Sequence, residues 1–349
     1  MKPRSQIRGV STPSPDPFDQ IPDSLVHFIF NKMADVRFLR RCAAVSKRFN
    51  SLVPLVQDIY VKIDRVITVD GDPDVYLNLS SPRPRKLSHL LKLMLFAILK
   101  PIHNLHKSNG GNKPLLPQIS HHSPAQVLKN FRHIRNLQIE LPASEVGTED
   151  GIILKWRAVF GSTLQSCVIL AGTLVNHMPA SADQEVEDDG IPEQFYANGG
   201  LKLRLVWTIS SLIAASTRHY LLQQIIKDHP TLESVVLMDA DGQGTLNMGA
   251  GQLKEFREKP LAAAASSNRT QIPASSMKLR YAPYLELPGK MAMQGATLVV
   301  IKPNTEDNSS NSSRKEDELF INGVFDGPLG AAVKALANRS NYPLEINGF

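Results

Sequence analysis

The sequence predicts a protein of mixed α+β / α/β class. A small helical module opens it, and an irregular strand–helix domain broken by polar insertions follows. Three observations carry this. Residues 17–57 read PFDQIPDSLVHFIFNKMADVRFLRRCAAVSKRFNSLVPLVQ, with apolar side chains at three- and four-residue spacing. Farther on, the pattern apolar-x-x-apolar-x-apolar recurs from Ile134, Leu164 and Leu232. Between the copies lie polar runs such as NTEDNSSNSSRKEDE, residues 304–318, which cannot bury enough apolar surface to fold by themselves.

Residues 1–16 are polar and proline-broken and read as a disordered tail. The helical module spans 17–58. Pro22 suits the first turn of a helix, with Asp23 and Ser24 offering capping oxygens. Leu25, Phe28, Ile29 and Met33 then form one apolar stripe. A break at Ala34-Asp35 leads to a second run of Phe38, Leu39, Cys42, Val45, Phe49 and Leu52, which Pro54 ends. So few residues make a small core, and such a unit usually needs another surface to be stable.

Residues 59–349 form the second domain. Residues 59–67 alternate like a strand, and 87–99 read as a buried helix. The recurring pattern is that of a leucine-rich-repeat strand, whose alternate residues point into a stacked core. Its copies are Ile134-x-x-Leu137-x-Ile139, Leu164-x-x-Cys167-x-Ile169 and Leu232-x-x-Val235-x-Leu237, with an earlier one at Val56-x-x-Ile59-x-Val61. Helices are expected at 152–160 and 201–226, giving an irregular leucine-rich-repeat-like stack of strand–helix units. An ordinary α/β or α+β domain whose strands start with leucine fits the same residues. Loops or disordered insertions are expected at 107–124, 181–193, 260–276 and 304–318. A short strand at 319–325, an amphipathic helix at 327–338 and an apolar ending, YPLEINGF, complete the domain.

Composition narrows the function. The chain has 349 residues, 42% of them hydrophobic, enough for a substantial core. Its net charge of +6 is spread among scattered lysines and arginines with few aromatics between them, so no nucleic-acid partner is expected. The two cysteines, Cys42 and Cys167, make neither a disulfide framework nor a zinc spacing. The N-terminus has no apolar signal region, and the longest apolar stretches are too short for a bilayer. The expected home is the nucleus or the cytoplasm, with no membrane partner.

Catalytic and metal motifs fail on inspection. Residues 238–249, MDADGQGTLNMG, start like a calcium loop with Asp239 and Asp241. Gln243 then takes the third ligand position, and Ala250 stands where a bidentate glutamate belongs. As a dinucleotide loop, Gly242-x-Gly244 meets Asn247 where a third small residue is required. As a phosphate loop, Gly244 to Gly249 is followed by Ala250-Gly251 in place of Lys-Ser/Thr. A turn between strand and helix accounts for all these residues. The His121-His122 pair and His103/His106 lack a third ligand at fixed spacing. No catalytic residue, cofactor or metal is expected, so the chain reads as a non-enzyme.

The first forty residues of the module resemble an F-box. That family opens on Leu-Pro, continues with apolar helical positions and centres on Val-Ser/Cys-Lys/Arg-Arg-Trp. Here the matching residues are Ile21-Pro22, then Leu25, Ile29 and Phe30, then Leu39, then Val45-Ser46-Lys47-Arg48-Phe49. Ile21 replaces the usual leucine, and Phe49 replaces the frequent tryptophan while keeping an aromatic plug. The resemblance implies that Ile21, Pro22, Leu25, Ile29, Phe30, Leu39, Val45 and Phe49 lie at or under a contact with a Skp-type adaptor. The alternative is that these residues form the core of a small helical subdomain; periodicity does not separate the two, and the Ile-Pro-Asp and Val-Ser-Lys-Arg-Phe elements together favour docking. With the ending GPLGAAVKALANRSNYPLEINGF, the whole chain resembles the plant auxin-up-regulated F-box proteins. This implies a substrate receptor of a Skp–cullin–F-box ubiquitin ligase. Its adaptor would bring the cullin and RING subunits, its second domain would hold a target protein for ubiquitination and degradation, and it would act in the auxin response. The alternative is a leucine-rich scaffold or interaction protein outside any ligase.

Overall fold

The computed structural model describes residues 17–63, 127–143, 151–175, 200–259, 269–304, 321 and 323–349. Three short helices lead: α1 (Asp23–Met33), α2 (Val36–Val45) and α3 (Lys47–Leu52), flanked by 3-10 turns at Pro17–Gln20 and Val53–Leu55. Strands β1 (Asp58–Lys62), β2 (Asn136–Leu141), β3 (Ile152–Phe160) and β4 (Leu164–Val175) come next. The long helix α4 (Gly200–Asp228) precedes β5 (Ser234–Asp239), β6 (Gly244–Met248) and α5 (Ala250–Glu258). The chain ends in β7 (Ser275–Leu287), β8 (Met291–Pro303), α6 (Gly327–Ala337) and β9 (Tyr342–Ile346).

Among the described residues, nine strands join one mixed sheet in the order β1-β2-β5-β6-β3-β4-β8-β7-β9. Its two halves are built differently. On one side β1, β2 and β5 run parallel, with Ile59, Leu137 and Val235 side by side and Val61, Ile139 and Leu237 two residues on. Three of the four copies of the apolar pattern are therefore neighbours in register. Their leading residues, Val56, Ile134 and Leu232, are all buried. The fourth copy, starting at Leu164, lies in β4 and runs antiparallel to both β3 and β8. The other half, β3-β4-β8-β7-β9, is antiparallel throughout.

Several sequence expectations change. Residues 152–160 form strand β3 and not a helix: Leu154, Trp156, Ala158 and Phe160 alternate into the core, a period of two. Within 260–276, Thr270, Ile272 and Ser275 are fully buried, and Ile272 exchanges backbone hydrogen bonds with Phe349. The insertion therefore does not extend to residue 276. In the stretch 319–325, Ile321 is helical and Gly323–Phe325 form a turn, with Gly323 at φ +81°. The stretches 1–16, 64–126 and 305–320, with the helix expected at 87–99 and its neighbouring histidines, lie outside the described residues. The acidic stretch 183–193 does too.

Two helices cover the central strands on one face. α4 crosses β3, β4 and β6, and α5 packs beside it. On α4, Arg218 stacks 4.6 Å over the Trp156 ring and pairs with buried Asp239 at 2.6 Å. Near its start, buried Arg204 donates to Thr297 Oγ1 (2.9 Å) and lies over Tyr281. On the opposite face α6 closes a second apolar layer with Val168, Leu170, Leu298 and Val300. Among the described residues no helix is long and apolar enough to cross a membrane.

Candidate adaptor-docking site

The helical module is attached to the parallel edge of the sheet. Asp35 caps α2 by accepting the Arg37 N–H (2.7 Å). Ala34, at φ 51°, turns its carbonyl to the Tyr60 N–H of β1 (2.9 Å). Arg37 donates to the Lys62 carbonyl (3.1 Å). From α1, Asn31 Oδ1 accepts the Gln57 N–H (2.8 Å), and its amide reaches His27, whose Nε2 meets the Leu55 carbonyl (2.9 Å). Apolar contact completes the joint: Val26, Phe30, Val36 and Leu39 belong to one continuous core with Val56, Ile59 and Leu137.

Two short motifs far apart in the chain meet inside this module. Arg48 donates to Asp23 Oδ1 (2.7 Å), to the Phe18 carbonyl (2.8 Å) and to the Ile21 carbonyl. The Val-Ser-Lys-Arg-Phe segment thereby holds the Ile-Pro-Asp segment in place. Asp23 and Ser24 were expected to cap α1. Pro22 is instead the N-cap, without a side-chain hydrogen bond, and Asp23 is spent on Arg48. Ser46 does cap α3, accepting the Phe49 N–H (3.1 Å). The Phe49 ring stands edge-on to Phe30 at 5.4 Å and to Phe18 at 6.3 Å.

The eight residues singled out from the sequence divide into two sets. Phe30 and Leu39 are core, 3% and 0% exposed, while Ile21 and Phe49 are half-buried against that core. Pro22, Leu25, Ile29 and Val45 face outward, Leu25 at 54%, Ile29 at 46% and Val45 at 73% exposure. The list missed Phe18, Phe28, Met33 and Phe38, all exposed. Their signal was present: α1 carries Val26 and Phe30 on one side and Leu25, Phe28 and Ile29 on another. A helix apolar on both sides has two surfaces to cover. Lys32 lies 5.6 Å over the Phe28 ring and Arg41 5.7 Å over Phe38, so the outward aromatics have cationic neighbours.

The loop that resembled ligand sites is a hairpin between β5 and β6, not a strand-to-helix turn. Asp239 accepts Arg218 and the Gly244 N–H (2.9 Å), and burial pushes its carboxyl up against the pull of these partners. Asp241 accepts the Gln243 N–H, and Lys155 donates to the carbonyls of Asp241 and Gly242. Gly242 is needed for its φ of +63°. At Gly244 a Cβ would run into the Trp156 ring. These glycines serve a turn and a close packing, and the oxygens are engaged within the protein.

Comparison with known proteins names a family for the whole chain. No family model matches the chain, and no solved structure matches it. Three curated plant proteins, all from Arabidopsis thaliana, are similar over 96% of it. F-box protein At4g18380 is 46% identical with 94% of its own length covered. F-box proteins AUF1 and AUF2 are 37% and 35% identical, each covered over its whole length. Similarity of this extent shows that the chain belongs to the F-box proteins, with AUF1 and AUF2 among its relatives.

Proposed function

We propose that this chain is the non-catalytic substrate receptor of a Skp–cullin–F-box ubiquitin ligase. The observation that carries the reading is where apolar surface is left uncovered. Of the ten large hydrophobic side chains exposed among the described residues, eight lie between Phe18 and Leu55 and two, Leu205 and Leu221, on α4. Such a patch on a folded module marks a partner surface. Leu25, Phe28, Ile29, Phe38 and Val45 would fill an apolar groove on a Skp-type adaptor. The cations beside them, Lys32 and Arg41, would set register against acidic side chains.

The sheet domain would hold a target protein. The cullin and RING subunits would be recruited through the adaptor. Catalysis is then proximity: target lysines gain effective concentration near the charged enzyme, and another subunit does the chemistry. Its place would be the nucleus or cytoplasm, and its role would be in the auxin response.

The test is co-purification of the full chain with adaptor and cullin. Deleting residues 17–57 is a poor probe, because Phe30 and Leu39 share the sheet's core and their removal would unfold it. Leu25→Asp, Phe28→Asp and Val45→Asp together alter exposed positions alone. They should abolish recovery of both partners while leaving the melting temperature in place. Undiminished recovery would leave the chain as a scaffold outside any ligase.

A further inference from the structure

A cleft of about 470 Å³ lies where the helical module meets the sheet domain. Arg40 of α2 and Asn50 of α3 line it from the module, and Lys129 and Arg132, in the loop before β2, line it from the domain. Val53 and Phe131, 5% and 3% exposed, give it an apolar floor. Its walls are held at a fixed separation, since the Arg132 N–H donates to the Pro54 carbonyl across the junction (3.0 Å). The adaptor reading makes no use of this concavity.

The charges around it are one-sided. Three cations line the cleft, and among the described residues no carboxylate does. Nearby basic side chains are occupied: Arg48 closes on Asp23 and Arg37 on the Lys62 carbonyl. Among the described residues the side chains of Arg40, Lys129 and Arg132 take part in none of the ion pairs or side-chain hydrogen bonds. A bland account makes them solvated surface charges. Their convergence on one concave face argues against it, because like charges gathered together draw in counter-ions more strongly than scattered ones.

We infer that this cleft binds a phosphate-bearing group of at least two negative charges. Guanidinium forks fit phosphate oxygens two at a time, and Lys129 adds a point charge. The Asn50 amide supplies a neutral donor, and the apolar floor suits the organic body of such a ligand. The volume lies within the usual range for small-molecule sites. A bound group would bridge the module and the sheet.

Isothermal titration of the full chain with inorganic pyrophosphate, against sulfate at matched ionic strength, tests this. Pyrophosphate should bind at least tenfold more tightly. Arg40→Gln with Arg132→Gln should cost at least a further tenfold, whereas Lys254→Gln with Lys334→Gln should change affinity less than twofold. Melting curves of the unliganded variants should coincide, because all four side chains are exposed. A phosphoserine peptide that displaces pyrophosphate assigns the site to protein-borne phosphate, and one that does not assigns it to a free small molecule. Equal binding of sulfate, or full affinity in the Arg40/Arg132 variant, would overturn the inference. So would loss of pyrophosphate binding once the adaptor is bound, which would make the cleft part of that interface.

Discussion

The sheet and the helical module treat apolar residues in opposite ways. In the sheet, α4 and α5 lie over one face of the central strands and α6 closes an apolar layer on the other, so that Trp156, Ile169, Leu298 and Val300 are all nearly inaccessible. In the module α1 and α2 are each buried on one side and carry exposed apolar side chains on another. The apolar surface that would stabilise a free-standing helix bundle is thus split, part of it buried on the sheet edge and part left exposed, where the proposed adaptor would cover it. A surface that binds by apolar anchors must stay uncovered in the free protein, and the module can afford this because the sheet supplies its other half.

The division makes two phenylalanines of one helix, Phe28 and Phe30, differ in kind. Phe30→Ala empties a site 3% exposed and should destabilise the chain by about 3–5 kcal/mol, read as a drop in urea midpoint. Phe28 is 57% exposed, so its alanine variant should shift stability by less than about 0.5 kcal/mol. It should instead weaken adaptor binding by about 2 kcal/mol, as expected of a buried aromatic anchor. A Phe28→Ala variant that melts early but binds normally would erase the distinction.

That distinction was half legible beforehand. The spacing of Leu25, Phe28, Ile29 and Met33 and the break at Ala34 are local features that could be read from neighbouring residues, whereas the even spacing from Phe38 to Leu52 hid the break at Ser46 that separates α2 from α3. Which apolar side faces outward could not be read locally, because that depends on β1. The parallel register of Val56, Ile134 and Leu232 showed as a shared pattern, but the pairing it implies joins residues as distant as Asp58 and Asn136, 78 apart. Residues 152–160 misled because Ile152, Ile153 and Val159 thicken the alternation of Leu154, Trp156, Ala158 and Phe160 into a run that also suits a helix. Phe38 shares its apolar run with Leu39, and nothing local says that Phe38 faces outward while Leu39 is buried.

The sheet half also stores a pH dependence, centred on one buried histidine. His219 is fully buried on α4, stacked on Phe160 at 4.5 Å. Its Nε2 faces the Gly161 carbonyl (3.0 Å), which only accepts, so the proton sits there and Nδ1 accepts from the Thr270 hydroxyl (2.7 Å). Burial holds its pKa down to about 4 from the usual 6.5, although the Gly161 carbonyl pulls the other way. Above pH 6.5 the ring is neutral folded or unfolded, and its full contribution stands. Below that the unfolded chain gains the proton first, so stability falls between pH 6.5 and 4 by roughly 3 kcal/mol. Urea midpoints at pH 7.5, 6 and 5 should show this slope, and His219→Gln should flatten it relative to the parent. A parallel slope in both would assign the loss to carboxylates.

The smallest effect tests the seam itself. Asp35 caps α2, and the residue before it hands its carbonyl to β1. Asp35→Ala removes one acceptor from an exposed helix start and should cost about 1 kcal/mol of stability, while Asp35→Asn, which keeps the cap, should cost a few tenths. Adaptor affinity should fall far less than in Phe28→Ala, since Asp35 holds the helix and presents no apolar surface. If Asp35→Ala instead weakened adaptor binding as much as Phe28→Ala at unchanged melting temperature, residues that hold the module and residues that dock it would not be separate sets. The outward patch would then owe its shape to the α2 cap as much as to its own side chains.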